Sequence, residues 1–229
     1  MNNSMKWQGL PLIIFGSGGI SKEVYSLIKY INASSNQRIF NFQGFVGIEN
    51  SEIGNIIIDN EEIVTSDQSL DSFVSKYPIL GMVLPMGTPK AKSIIYNKIK
   101  DFQNIVFPNI IHPNVNIDSE NTTIGVGNII GSGAILTCNI KVGNFNLINL
   151  NSTVGHDTEI GDFNVINPLV ALSGNVELRD SCLIGTGAKV LQGLTINSNS
   201  TIGAGAVVVK DVESYTTVVG VPAKTINKK

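Results

Sequence analysis

The sequence predicts two folded parts of different class, an α/β domain followed by a parallel β-solenoid, and three observations carry that reading. From Ile124 an aliphatic residue recurs at every sixth position through Val208, fifteen times without a break. Before about residue 108 the period is absent, and short apolar runs alternate with segments of helical spacing. Isoleucine and asparagine, 32 and 26 residues, supply a quarter of the 229-residue chain, a composition suited to strands and turns.

In the first part, Leu12 to Phe15 reads as a short buried strand that runs into Gly16-Ser17-Gly18-Gly19. Ile20, Val24, Leu27, Ile28 and Ile31 follow at helical spacing, so strand, glycine turn and helix open a βαβ unit. Residues 42–48 then read as a second strand, 70–77 as a short helix, 79–84 as a third strand, 88–100 as a helix and 104–107 as a fourth strand. That order predicts a parallel α/β domain over residues 1–108. Pro108 and Pro113 bracket the junction. The glycine turn leaves three readings open: a phosphate or nucleotide-sugar cradle at a helix N-terminus, a plain tight turn, or a redox-dinucleotide site. The last needs a third glycine where Ser21 stands and an acidic residue closing the second strand, for which Glu49 comes late.

A six-residue period fits neither a helix nor a hairpin, but it suits a short strand followed by a corner. Three such strands make an 18-residue triangular coil whose aliphatic residue points inward and stacks on its equivalent one coil away. Fifteen hexads give five coils over residues 109–210, with 211–229 as a tail. Ile111 and Ile117 are out of step by one residue and predict an irregular first coil. The glycine that often follows the aliphatic, as at Gly125, Gly143, Gly155 and Gly185, is expected to relieve the backbone at the corner.

The net charge of −2 supplies no basic field for nucleic acid or anionic membranes. The longest apolar runs fall far short of the roughly 20 residues of a membrane helix. The N-terminal residues lack an apolar signal core, which predicts a cytoplasmic protein. Cys138 and Cys182 stand apart from any metal-ligand spacing and read as buried reduced thiols, with no metal expected.

There are two histidines. His112, in Ile111-His112-Pro113, reads as structural. His156 lies two positions beyond the stacked Val154, at a corner or outer surface, and Asp157 follows it. A neighbouring carboxylate favours imidazolium and orients the ring, so this pair is either a general base with its companion or a surface histidine.

Taken together, the glycine turn, Ile111-His112-Pro113, the hexads, Asn149 through His156-Asp157, Ser173-Gly174-Asn175-Val176 and Val219-Gly220-Val221-Pro222-Ala223-Lys224 resemble the hexapeptide-repeat acyltransferases. More narrowly, they resemble the bacterial sugar acetyltransferases that act on UDP-4-amino-sugars, perosamine or sialic acid. The resemblance implies a Rossmann-like N-terminal domain, a left-handed parallel β-helix and a homotrimer with acetyl-CoA between neighbouring β-helices. It makes His156 the catalytic base and Asp157 its companion, and it sets Asn149 near the acceptor. Gly174 falls where a backbone N–H meets the acetyl carbonyl, Thr186 and Ala204 along the CoA arm, and Lys224 in the tail near the cofactor. Gly16, Ser17 and Gly18 would hold the sugar nucleotide. Val165 stands where many relatives carry a second histidine, and Gly47-Ile48-Glu49 where uridine-nucleotide binders carry paired aspartates. Lys90 or Lys92 is left to supply the phosphate-binding cation.

The function expected on that basis is acetyl-CoA-dependent N-acetylation of a nucleotide-linked amino sugar for a surface glycan such as lipopolysaccharide O-antigen. O-acetylation of a sialic acid or related sugar is the alternative within the class, and a non-catalytic binding solenoid the alternative outside it.

Overall fold

The computed structural model describes residues 7–226. The chain divides into two compact units. One holds the chain up to Met86 with Ile95–Pro113, and the other Gly87–Ile94 with the chain from Asn114 onward.

The first unit runs β1 (Leu10–Phe15), α1 (Gly19–Ala33), β2 (Phe40–Gly47), β3 (Ile56–Ile58), β4 (Glu61–Ser66), α2 (Leu70–Val74) and β5 (Leu80–Val83). Helix α3 (Pro89–Ile99), which belongs to the second unit as far as Ile94, and β6 (Ile105–Val106) of the first unit follow. The six strands form one sheet in the order β3-β4-β2-β1-β5-β6, all parallel except β3. Leu12, Ile13, Ile14, Phe45, Leu80 and Met82 have no solvent exposure and form the core of the sheet. Strands β3 and β4 were not expected. They make a hairpin closed by Asp59 and Asn60, both left-handed, a two-residue turn without the glycine that usually signals one.

In the second unit, residues from Asn116 onward stack as three parallel sheets. The first face takes Ile129–Ile130, Leu147–Ile148, Val165–Ile166, Leu183–Ile184 and Thr201–Ile202. The second takes Asn116–Ile117, Ile135–Leu136, Thr153–Val154, Ala171–Leu172, Lys189–Val190 and Val207–Val208. The third takes Thr122–Ile124, Ile140–Val142, Glu159–Ile160, Glu177–Leu178 and Thr195–Ile196. Partners lie one 18-residue coil apart, as in Ile148↔Ile166, Val154↔Leu172 and Ile160↔Leu178, which is the pattern of a left-handed β-helix. Every inward aliphatic from Ile130 to Val208 is at most 3% exposed. Each contributes roughly 1.5–3 kcal/mol of burial, so the stack is held by a continuous aliphatic column. On the first face, Thr217–Val219 adds another parallel strand, and Lys224–Ile226 pairs antiparallel to it.

The one-residue slip of the first coil is absorbed in one turn. Leu136 faces Ile117, whereas Val142 faces Ile124, so the extra residue lies between them. There the Asp118 carboxylate accepts from the Glu120 N–H and the Asn121 amide.

The corners are relieved at a different residue from the one expected. The left-handed conformation falls three positions after each inward aliphatic, from Gly127 through Asn139, Asp157 and Asn175 to Gly205, with φ between 53° and 75°. The glycines directly after the aliphatics serve contact between coils. A Cβ on Gly155 would strike the Gly174 backbone, and one on Gly185 the backbone of Ala204.

Lys92 also departs from expectation. It is 1% exposed, and within the second unit its ammonium donates to the Phe145 carbonyl at 2.7 Å, so it is closed to phosphate. Lys90 is exposed. Cys182 is buried as expected, but Cys138 is exposed because it sits two residues past Leu136, the corner phase that also exposes His156. Among the described residues no helix is long and apolar enough to cross a membrane.

Candidate active site

His156 and Asp157 occupy the corner between the second and third faces. The hexad puts them there, because Val154 points inward and the chain turns within the next three residues. Asp157 takes the left-handed position, which an Asp side chain tolerates. His156 Nδ1 and Asp157 Oδ2 are 2.7 Å apart. A carboxylate only accepts, so Nδ1 carries a proton, and in the neutral ring Nε2 keeps its lone pair. The carboxyl of Asp157 is held below its usual range, first by the His156 hydrogen bond and then by one from Asn139.

Gly174 lies one coil above His156. A side chain there would collide with Nε2 of the imidazole, so only glycine leaves room for the ring. Gly174 is buried, and its N–H meets no acceptor among the described residues, while its carbonyl accepts from Gly193. That N–H is left free to donate. Here it stands beside a histidine nitrogen able to take a proton, which suits a carbonyl oxygen acquiring negative charge. Beside this corner an open cleft of about 270 Å³ is lined by Asp157, Glu159, Asn175 and Glu177, among others.

The remaining solenoid candidates fall on a different corner. Asn149, Thr186 and Ala204 follow strands of the first face, at the turn into the second. Asn149 turns its side-chain oxygen onto the Leu150 N–H at 2.8 Å, while Thr186 and Ala204 are exposed and their N–H groups bond no acceptor among the described residues. Lys224 lies on the antiparallel strand at the end of the first face, exposed. One chain therefore brings His156, Asp157 and Gly174 together, and separately Asn149, Thr186 and Ala204. Val165 is fully buried within the first face.

In the first unit, Gly16 has φ +90° and donates to Val46, and Gly18 caps α1. Gly18 and Gly19 are exposed, and a Cβ at either would meet nothing. The first turn of α1 holds no acidic residue and no side-chain cap, so its N–H groups are available to an anion. The turn sits at the end of β1, which pairs with β2 on one side and β5 on the other, the switch point where α/β sheets bind ligands. Glu49 and Glu52 are engaged locally, in a reciprocal capping box, with Glu52 accepting from the Ile48 N–H at 2.6 Å. His112 packs against Tyr30, the rings tilted with centroids 5.3 Å apart, as a structural histidine would. Among the described residues no group of three or more His, Cys, Asp or Glu could hold a metal ion.

No protein-family model matches the chain, and no curated protein matches it. Solved structures do. Perosamine N-acetyltransferase from Caulobacter crescentus, with CoA and GDP-perosamine, is 22% identical over 95% of this chain and 97% of its own, with a TM-score of 0.85. The acetyltransferase domain of PglB from Neisseria gonorrhoeae, with acetyl coenzyme A, is 25% identical over 95% of this chain and 100% of its own, at 0.82. WeeI from Acinetobacter baumannii is 25% identical over the same shares, at 0.78. The chain has the fold of the hexapeptide-repeat sugar acetyltransferases. Within that acetyltransferase fold the sequence missed one residue of the His156 corner, Asn139. Its signal is positional, since it precedes Asp157 by one 18-residue coil.

Proposed function

We propose that the chain is an acetyl-CoA-dependent N-acetyltransferase that acts on the amine of a nucleotide-linked amino sugar destined for a surface glycan. The observation that carries this reading is the His156–Asp157 pair, its ring set directly against Gly174, whose N–H meets no acceptor among the described residues. Bound acetyl-CoA supplies an acetyl thioester. His156 Nε2 removes the proton from the acceptor nitrogen as it attacks, and Asp157 stabilises the imidazolium that forms. The Gly174 N–H donates to the carbonyl oxygen as it gains charge. The proton on His156 then passes to the departing thiolate, so the base is regenerated without a covalent intermediate. The Asp157 carboxylate beside the adjoining cleft favours an acceptor that arrives as an ammonium and gives one proton to solvent before its nitrogen attacks, hence an amine over a hydroxyl.

The acting form is a homotrimer. The two corners that carry candidate residues flank the second face. If that face turns toward a threefold axis, the Asn149, Thr186 and Ala204 corner of one copy meets the His156 and Gly174 corner of the next. Exposed Ile135, Leu150, Leu169, Leu191 and Val209 all lie on the second face or those corners, whereas the third face carries the Lys141–Glu159 and Arg179–Glu177 ion pairs. Such an apolar, charge-poor surface suits a subunit interface. Residues 1–108 serve as a Rossmann-like domain that holds the sugar nucleotide through Gly16, Ser17 and Gly18. Residues 109–210 are the acetyltransferase β-helix, and 211–229 a tail that brings Lys224 toward CoA. Acetyl-CoA and sugar nucleotides are cytoplasmic, and so is the enzyme.

The test is thiol release from acetyl-CoA with UDP-, dTDP- and GDP-linked amino sugars and free sialic acids as acceptors. Turnover with an amino sugar and its loss by roughly 10²–10⁴ in His156→Ala are expected. A folded His156→Ala protein with full activity would sink the mechanism, and turnover with sialic acid alone would replace the substrate.

A further inference from the structure

Both oxygens of the Asp157 carboxylate are in use. Oδ2 accepts from His156 Nδ1 at 2.7 Å, and Oδ1 accepts from the side-chain amide of Asn139, one coil below, at 2.5 Å. We propose that Asn139 is a positioning residue for the base, an amide that clamps Asp157 so that the carboxylate keeps the His156 proton on Nδ1 and leaves Nε2 facing Gly174. The inference rests on the acetyl-transfer reading of the same site.

The side chains of His156 and Asp157 are each about half exposed, at 51% and 49%. A carboxylate in that setting rotates and exchanges its partners with water, and a neutral imidazole in water keeps little preference for Nδ1–H. A donor fixed to the neighbouring coil removes that freedom for one oxygen, and the geometry of the carboxylate then fixes the other. The backbone of the clamp is rigid, because the Asp157 N–H also donates to the Cys138 carbonyl at 3.1 Å. A neutral amide suits the task. A lysine or arginine in its place would neutralise Asp157 and weaken its hold on the imidazolium, and a hydroxyl would be too short to span the coils.

Asn139 also occupies a left-handed position, where asparagine is a common turn residue. The equivalent corner positions hold Phe145, Phe163 and Leu169, so this turn does not by itself require asparagine. Glycine keeps the turn and removes the amide, and it therefore separates the two roles.

Asn139→Gly is compared with wild type, Asp157→Ala and the double variant. Its kcat is expected to fall roughly ten- to hundredfold, the loss of a hydrogen bond to a charged group, with the KM for acetyl-CoA and the circular dichroism spectrum unchanged. In the Asp157→Ala background it should have no further effect, because nothing remains for it to hold. Nitrogen-15 NMR of the His156 ring, assigned with His156→Ala, should show the Nδ1-protonated form in the wild type and a mixture of tautomers in Asn139→Gly. An Asn139→Gly ring that keeps the wild-type tautomer, or kinetic losses that add in full, overturns the proposal. The NMR measurement needs no substrate. If no acceptor turns over, the functional reading fails while the role of Asn139 is still decided.

Discussion

Replacing Lys92 by methionine should remove a pH dependence of stability that this one side chain imposes. The residue is 1% exposed, its ammonium has one hydrogen bond among the described residues, to the Phe145 carbonyl, and burial pushes its pKa down from 10.5 to about 7. Between those values the unfolded chain binds a proton there that the folded chain does not, so stability rises with pH across that window. Below pH 7 both states are charged and the full cost of burying the charge is felt. Above about pH 10.5 both are neutral and the cost is gone. At about 1.4 kcal/mol per unit, the span from 10.5 to 7 corresponds to roughly 4 to 5 kcal/mol, of which about 3 should be recovered by pH 9.5. Methionine has nearly the same length and no charge. Urea unfolding of both proteins at half-unit steps from pH 6 to 9.5 gives the difference in stability directly, and groups common to both, such as Tyr25 and Cys182, cancel. The wild type should gain on Lys92→Met as pH rises. A difference that stays constant within about 0.5 kcal/mol over that range would show that Lys92 is neither desolvated nor charged as described.

Three further outcomes follow from the solenoid. Gly174→Ala keeps an ordinary φ but drives its methyl into the His156 ring, so kcat should fall by roughly 10²–10³ while circular dichroism is unchanged; a fully active variant would remove Gly174 from the site. Ile166→Ala, in the middle of the fully buried column, should cost about 2–5 kcal/mol in chemical unfolding, and a loss under 1 kcal/mol would mean that the column is not tightly packed. His156→Ala and Ala204→Trp carry lesions on different corners. Mixed and refolded together, they should regain activity that neither has alone, whereas no recovery would mean that each copy contains a whole site.

Much of the fold could be read from the chain because a six-residue period has few physical realisations. Ile124 through Val208 gave the number of coils, their register and their interior without reference to any structure, and even the slip at Ile117 was visible. The β3–β4 hairpin escaped because its turn, Asp59-Asn60, is polar and lacks glycine, and the strand Glu61–Ser66 starts with two glutamates. Lys92 escaped for a different reason. A lysine in the run Pro89-Lys90-Ala91-Lys92-Ser93 reads as solvated, and only tertiary packing buries it. At the site, the phase of His156 relative to Val154 was enough to set it on a corner. That the same phase exposes Cys138, and that Asn139 stands one coil beneath Asp157, follows from the same arithmetic once contacts are sought at a separation of 18 as well as next door.

The strand Lys224–Ile226 closes the first face in the opposite direction to every strand beneath it. A stack of parallel coils offers its last rung as a template, and an identical rung from another molecule could continue the ladder indefinitely. A reversed strand presents the wrong hydrogen-bonding pattern for that continuation. The hairpin thus breaks the parallel ladder on that face by strand direction alone.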